Sequence, residues 1–133
     1  MYRFSDNKLH GNIDKFELIV CSAERGDITT NAGFSLKGIH NLSVFEQADM
    51  IIIPGWRDPN ESPTKRLITA LRKAHQKGTK IVGLCLDSFV LAAADLLEGR
   101  TATTHWCWID EFTVRYPNII VQPDFYMLMK EIY

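Results

Sequence analysis

Lys80 to Leu97 reads Lys-Ile-Val-Gly-Leu-Cys-Leu-Asp-Ser-Phe-Val-Leu-Ala-Ala-Ala-Asp-Leu-Leu, and it constrains the fold more than any other stretch. It predicts a short buried strand, a sharp turn and then a helix. Ile81 and Val82 are β-branched and apolar, which suits a strand covered on both faces. Phe89 to Leu97 is rich in Ala and Leu, and Gly99 follows as a stop. Cys85 falls at the junction, at the carboxyl end of a strand and the amino end of a helix. Unpaired N–H groups and a partial positive charge at a helix amino end favour a thiolate, so a nucleophilic cysteine belongs there.

A free cysteine is also among the most buried residue types and often only fills space. A nucleophile elbow is built as small-x-nucleophile-x-small, because the backbone is tight on both sides. Gly83 meets the first small position, whereas Asp87 stands at the second. A carboxylate two residues from the thiol opposes thiolate formation if it faces the same pocket.

The rest of the chain alternates in type. Met1–Lys15 is polar and reads as a loop. Phe16–Cys21 is a strand candidate, closed by a turn at Gly26-Asp27, and Thr29–Ile39 suits a small irregular hairpin. Phe45–Asp49 is a connection, and Met50–Ile53 is an apolar strand stopped by Pro54-Gly55. Ser62-Pro63 predicts a helix start with Ser as cap; Leu67, Ile68, Leu71 and Ala74 repeat on one helical face before Gly78. Arg100–His105 is a further strand candidate. Ile109, Phe112 and Tyr116 mark a helix ended by Pro117, and Ile119–Val121 and Phe125–Met129 are short strand candidates. Strand and helix in alternation predict one α/β domain over residues 1–133, with a mainly parallel sheet.

Composition excludes several classes. With 46% hydrophobic and 23% charged residues the chain resembles an ordinary globular domain, and a net charge of −1 offers no general attraction to nucleic acid or anionic membrane. The basic residues Lys65, Arg66, Arg72, Lys73 and Lys77 share one predicted helix and read as its solvated face. Three widely spaced cysteines, Cys21, Cys85 and Cys107, argue against a disulfide framework and for a reducing cytoplasm. Neither a signal peptide nor an apolar run of membrane-spanning length is present in the sequence.

In parallel α/β sheets ligands bind beyond the carboxyl ends of the strands. Pro54-Gly55-Trp56, Cys85 and His105-Trp106 are all expected there, from three different strands. His105 is the candidate base for Cys85, although a histidine at a strand end is often only hydrogen-bonded structure. The N–H groups of Leu86 and of Gly55 or Trp56 are candidate donors to a developing oxyanion, and Trp56 and Trp106 are candidate pocket walls or packing residues. His105-x-Cys107 has no CxxC or HxxxH beside it, so no metal site is expected, and nothing calls for a cofactor.

Two blocks, Ala48–Pro59 (Ala-Asp-Met-Ile-Ile-Ile-Pro-Gly-Trp-Arg-Asp-Pro) and Gly83–Trp106, resemble the ThiJ/PfpI superfamily. Pro-Gly-Trp-Arg-Asp-Pro and Ala-Thr-Thr-His-Trp are most similar to the amino-terminal domain of AraC-family transcriptional regulators. The resemblance covers about residues 16–124 and implies a class I glutamine-amidotransferase-like, flavodoxin-like fold, here incomplete. It matches Cys85 to the elbow cysteine, His105 to the histidine that follows it, and Gly55 to the loop whose amides face the cysteine. Trp56 and Asp87 stand where enzymatic members carry glycine, which favours the regulator branch. The implied function is a non-catalytic, ligand-sensing domain with Gly55, Trp56, Leu86, Asp87 and Trp106 around an unidentified small molecule. The alternatives are a cysteine-dependent enzyme of amidase, glyoxalase-like or isonitrile hydratase-like type using Cys85 and His105, and a remnant without activity. The superfamily's opening strand and helix have no counterpart before Phe16, and the regulators' helix-turn-helix has none after Tyr133. The resemblance therefore implies a truncated copy that reaches DNA only through a domain absent from this chain. Exposed sheet edges in such a copy imply a homo-oligomer, such as a dimer.

Overall fold

The computed structural model describes residues 16–30 and 32–123. Strands β1 (Cys21–Ser22), β2 (Ile28–Thr29), β3 (Ser35–Leu36) and β4 (His40–Asn41) lead into a 3-10 helix over Leu42–Gln47. Then follow β5 (Met50–Ile53), α1 (Lys65–Gln76), β6 (Lys80–Gly83), α2 (Asp87–Ala93) and β7 (Thr101–Ala102). A 3-10 turn at Trp106–Trp108, α3 (Ile109–Arg115) and β8 (Ile120–Val121) complete the order. Strands pair as β1 with β4, β5 with β6 and β7 with β8, all parallel, and β2 with β3 antiparallel. This is the expected α/β architecture, in small sheets.

The β5–β6 pair is the centre. Ile51 lies beside Ile81 and both are buried, while Ile53 lies beside Gly83, so the two strands end level. α1 packs against β6 and against the 3-10 helix. Leu67, Leu71 and Ala74 form its buried stripe, at the spacing the sequence predicts. Thr64, rather than Ser62, caps it: the Thr64 hydroxyl accepts the Leu67 N–H at 3.2 Å. Pro63 precedes the cap and fixes the approach. At the other end Gly78 at φ +89° lets Thr79 donate back to the Ala74 carbonyl and Gly78 to that of His75. α2 closes in the same way but earlier than Gly99. Asp95 takes the left-handed position at φ +59°, donating to Ala92, and Leu96 donates to Leu91. The Arg72 guanidinium, which bonds the Ala94 carbonyl and pairs with the Asp95 carboxylate, holds that closure.

Other expectations change. Strand pairing begins only at Cys21, and Phe16, Leu18, Ile19 and Val20 are exposed. Phe45–Asp49 is not a plain connection, because a 3-10 helix buries Leu42 and Phe45. Asn41 caps it through the Ser43 N–H. β5 is covered on one face only: Met50 and Ile52 are 50% and 55% exposed. The hairpin within Thr29–Ile39 is present as β2–β3. Phe125–Met129 lies outside the described residues. The same core continues to α3, where Phe112, wholly buried, meets the Phe89 ring at 4.9 Å and Tyr116 at 5.2 Å.

Candidate functional site

The turn between β6 and α2 places Cys85 at φ +59°, a left-handed conformation that a non-glycine residue adopts at a cost. Its side chain is exposed. Four contacts hold the turn. The Leu84 N–H reaches both the Ile53 carbonyl, at 3.2 Å, and Asp87 Oδ2, at 2.9 Å. The Ser88 hydroxyl donates to the Cys85 carbonyl at 3.2 Å, and the buried Thr104 hydroxyl reaches the same oxygen at 3.5 Å. A Cβ on Gly83 would stand 2.9 Å from Leu91 Cδ1 and 3.0 Å from Asp87 Cβ, so α2 sits on β6 at a distance only glycine allows.

Asp87 is the least ordinary group. It is wholly buried, and among the described residues its Oδ1 has no hydrogen-bond partner. Burial pushes its carboxyl up to about 6, against the opposing pull of the Leu84 and Trp56 backbone N–H groups. Oδ2 carries the bond to Leu84, and the Trp56 amide bears on the carboxyl without an ordinary hydrogen bond to Oδ1. Asp87 therefore lies beneath the corner rather than in an open pocket.

The other expected residues arrive from the neighbouring loops. Trp56 is half-buried against the core, and its indole N–H donates to the Glu61 carbonyl at 2.9 Å. Arg57 fixes the same loop through a two-pronged pair with Glu61, both contacts 2.6 Å, and a contact of 3.0 Å to Glu24. That guanidinium pulls the Glu61 carboxyl below its ordinary value. Gly55 is exposed, and a Cβ there would meet nothing within 4 Å. Leu86 is half-buried at the amino end of α2, and among the described residues its N–H meets no acceptor. His105 and Cys107 do not share a strand, as their spacing suggests. They follow β7 in a turn, where His105 Nδ1 accepts the Cys107 N–H at 3.3 Å. The His105 ring stacks on Trp106, whose side chain is 73% exposed. Among the described residues no three of His, Cys, Asp and Glu gather as a metal site.

The three loops thus follow strands β5, β6 and β7, and the Cys85 corner meets each of the other two. Trp56 and Cys85 are linked through Asp87, and the His105 loop is linked to Cys85 through Thr104. Sequence reasoning missed Thr104, Ser88 and Arg57. Thr104 was readable only as the hydroxyl residue before His105. Arg57 and Glu61 stand four apart, a pairing that a loop does not advertise.

Parallel strand pairs with helices on their flank make this an α/β domain, with a cysteine on a left-handed corner between strand and helix. The chain belongs to the DJ-1/PfpI family, whose profile matches residues 9–120. It is 30% identical over 120 residues to the HTH-type transcriptional regulator CdhR of Pseudomonas aeruginosa, covering 90% of this chain and 35% of that protein. It is 29% identical over 84 residues to the isonitrile hydratase of Pseudomonas putida, covering 62% of this chain and 37% of that protein. The chain thus spans little more than a third of either relative. Two solved structures share the fold. A protein from Vibrio parahaemolyticus described as a transcriptional regulator superimposes with a TM-score of 0.70 at 25% identity, over 82% of this chain and 59% of that one. An AraC family transcriptional regulator from Pseudomonas putida gives 0.65 at 19% identity, over 84% and 60%. Among the described residues no helix is long and apolar enough to cross a membrane.

Proposed function

We propose that this chain is the ligand-sensing domain of an AraC-type transcriptional regulator, and that it binds its small-molecule effector without turning it over. The observation that carries this reading is Asp87: its wholly buried carboxyl, bonded to the Leu84 N–H, fills the space beneath the Cys85 corner at a position where a catalytic elbow calls for a small residue. His105 is also engaged, since Nδ1 accepts the next turn's N–H and the ring stacks on Trp106. In this reading Gly55, Trp56, Leu86 and Trp106 face the effector, and Asp87 shapes the corner from below. DNA is contacted by a separate helix-turn-helix domain, in the cytoplasm. The exposed Phe16, Leu18, Val20, Met50 and Ile52 side chains support a homo-oligomer, whose size light scattering across concentrations measures.

A second reading has one observation in its favour. An exposed cysteine at φ +59° between strand and helix has the geometry of a nucleophile elbow. Cys85 with His105 would then serve a cysteine-dependent hydrolase or hydratase. Thermal-shift screening of small metabolites, followed by alkylation of each cysteine against pH, separates the two. Sensing predicts a stabilising effector whose shift survives Cys85→Ala and is lost in Trp106→Ala. It also predicts no selective alkylation of Cys85 over Cys107 below about pH 8. Selective reaction of Cys85 at low pH, with turnover abolished by Cys85→Ala, would replace it with the enzyme reading.

A further inference from the structure

The basic cluster on α1 is exposed, as its sequence predicts, and four of its five members also line a cavity. Lys65, Lys73 and Lys77, with Thr69 between them, stand four or eight residues apart and share one side of the helix. They run along about 18 Å of its length. With Arg66 they border a cavity of about 460 Å³ between α1 and the 3-10 helix. The floor is apolar: Leu42, Phe45 and Ala74 are buried core residues, and Ala70 packs against them. Among the described residues Glu46 is the only carboxylate in the lining, so four cations accompany one anion there, on a chain whose net charge is −1.

These four cations differ from Lys37, Arg57, Arg72 and Arg115, each of which pairs with an acid. Among the described residues none of Lys65, Arg66, Lys73 and Lys77 does. Lys73 and Lys77, one turn apart, repel each other along the rim. We propose that this groove binds a small organic anion with an apolar body and two or more negative charges. The apolar body covers the Phe45 and Leu42 floor, and the charges neutralise the rim. The size favours a small molecule over a protein partner, because small-ligand sites enclose roughly 300–1,000 Å³ whereas a protein interface covers about 800 Å² on each side. The site is separate from the Cys85 corner: Trp56, Cys85 and His105 line no part of it. It does not rest on the sensing reading.

The test is an NMR titration of the whole chain with 1-naphthyl phosphate, compared with inorganic phosphate and with neutral 1-naphthol. Saturable amide shifts confined to residues 42–46 and 65–77 are expected. Both reference probes should bind about tenfold more weakly or worse, because each supplies only half of the match. The double variant Lys65→Gln with Lys73→Gln, both at exposed positions, should weaken 1-naphthyl phosphate by about tenfold or more while leaving the rest of the spectrum unchanged. Shifts centred on residues 84–87 or 105–106 overturn the proposal. So do unchanged affinity in the double variant, equal binding of inorganic phosphate, or no saturable shift at millimolar probe.

Discussion

Asp87 makes the folded state sensitive to pH in a direction opposite to most carboxylates. Its carboxyl titrates near 6 in the fold and near its ordinary 3.8 in the unfolded chain. Below pH 3.8 both states hold the proton. Between 3.8 and about 6 only the folded state holds it, so raising the pH works against folding. Above 6 both are ionised and the whole penalty, at most about 3 kcal/mol, is in place. From pH 5 to pH 7 the same linkage gives a loss of about 1.3 kcal/mol. Glu61, held low by Arg57, acts with the opposite sign, because its contribution is present at neutral pH and lost as pH falls through its depressed value below 4.5. The pH 5–7 window therefore isolates Asp87 from it.

The assay is urea unfolding at steps between pH 5 and 7 for the wild type and Asp87→Asn. The wild-type midpoint should fall by about 0.4–1.3 M urea across the window, given a typical urea slope of about 1–3 kcal/mol per molar. The Asn variant should lose most of that slope. The slope is the observable and absolute stability is not, since an Asn amide group placed at the unpartnered Oδ1 position would lack an acceptor. Equal slopes in the two proteins, or a wild-type midpoint that rises with pH, would refute the reasoning.

Gly83→Ala should cost about 1–3 kcal/mol in the same assay, since the new Cβ meets Leu91 Cδ1 at 2.9 Å and Asp87 Cβ at 3.0 Å, both on the packed helix. At Cys85 a glycine relieves about 1–2 kcal/mol of left-handed strain against about 0.5–1 kcal/mol of unfolded-chain freedom, so Cys85→Gly should be at least as stable as Cys85→Ala. An Ala variant clearly more stable than the Gly variant would show that the φ of +59° is not what the turn imposes. Phe112→Ala should cost about 3–5 kcal/mol, because a fully buried ring packed on Phe89 and Tyr116 is removed, and thermal unfolding checks it.

The strands and helices legible in the sequence are those whose local signal and tertiary surroundings agree. Met50–Ile53 and Lys80–Gly83 are apolar, bounded by turn residues and paired with each other, and both ends fall where the sequence puts them. The α1 face is legible for the same reason. Phe16–Val20 carries an equally clear strand signal, yet the ladder starts at Cys21, with the Val20 carbonyl accepting the His40 N–H at 3.1 Å, because a strand exists only with a neighbour to bond and nothing local specifies one. The end of α2 was misplaced because Gly99 is the obvious stop. Asp95 can close the helix only because Arg72, more than twenty residues away, bonds the Ala94 carbonyl and Asp95 itself. The same holds at the candidate site. Cys85, Trp56 and His105 could be named from their positions after strands, but the Thr104 bond and the burial of Asp87 are properties of packing between segments.

The corner shows how a costly conformation is kept. Within five residues the chain holds a glycine with no room for a Cβ, a cysteine at positive φ and a carboxyl stripped of water. Each would relax if it stood alone, and each is held by a different part of the fold. Gly83 is held by the register with Ile53, Cys85 by the hydroxyls of Ser88 and Thr104 on its carbonyl, and Asp87 by the Leu84 amide. Strain persists only where its surroundings over-determine it, and such places are selected for what they present to solvent. What this one presents is an exposed thiol between two tryptophan-bearing loops. Asp95, also at positive φ, differs in kind: its strain ends a helix and its partner Arg72 is on the surface, so it serves only the fold. A ligand that contacts the Cys85 corner contacts three loops that already share hydrogen bonds and one buried charge. In the proposed sensing role its binding energy would reach the β5–β6 core through the Leu84 bond to the Ile53 carbonyl.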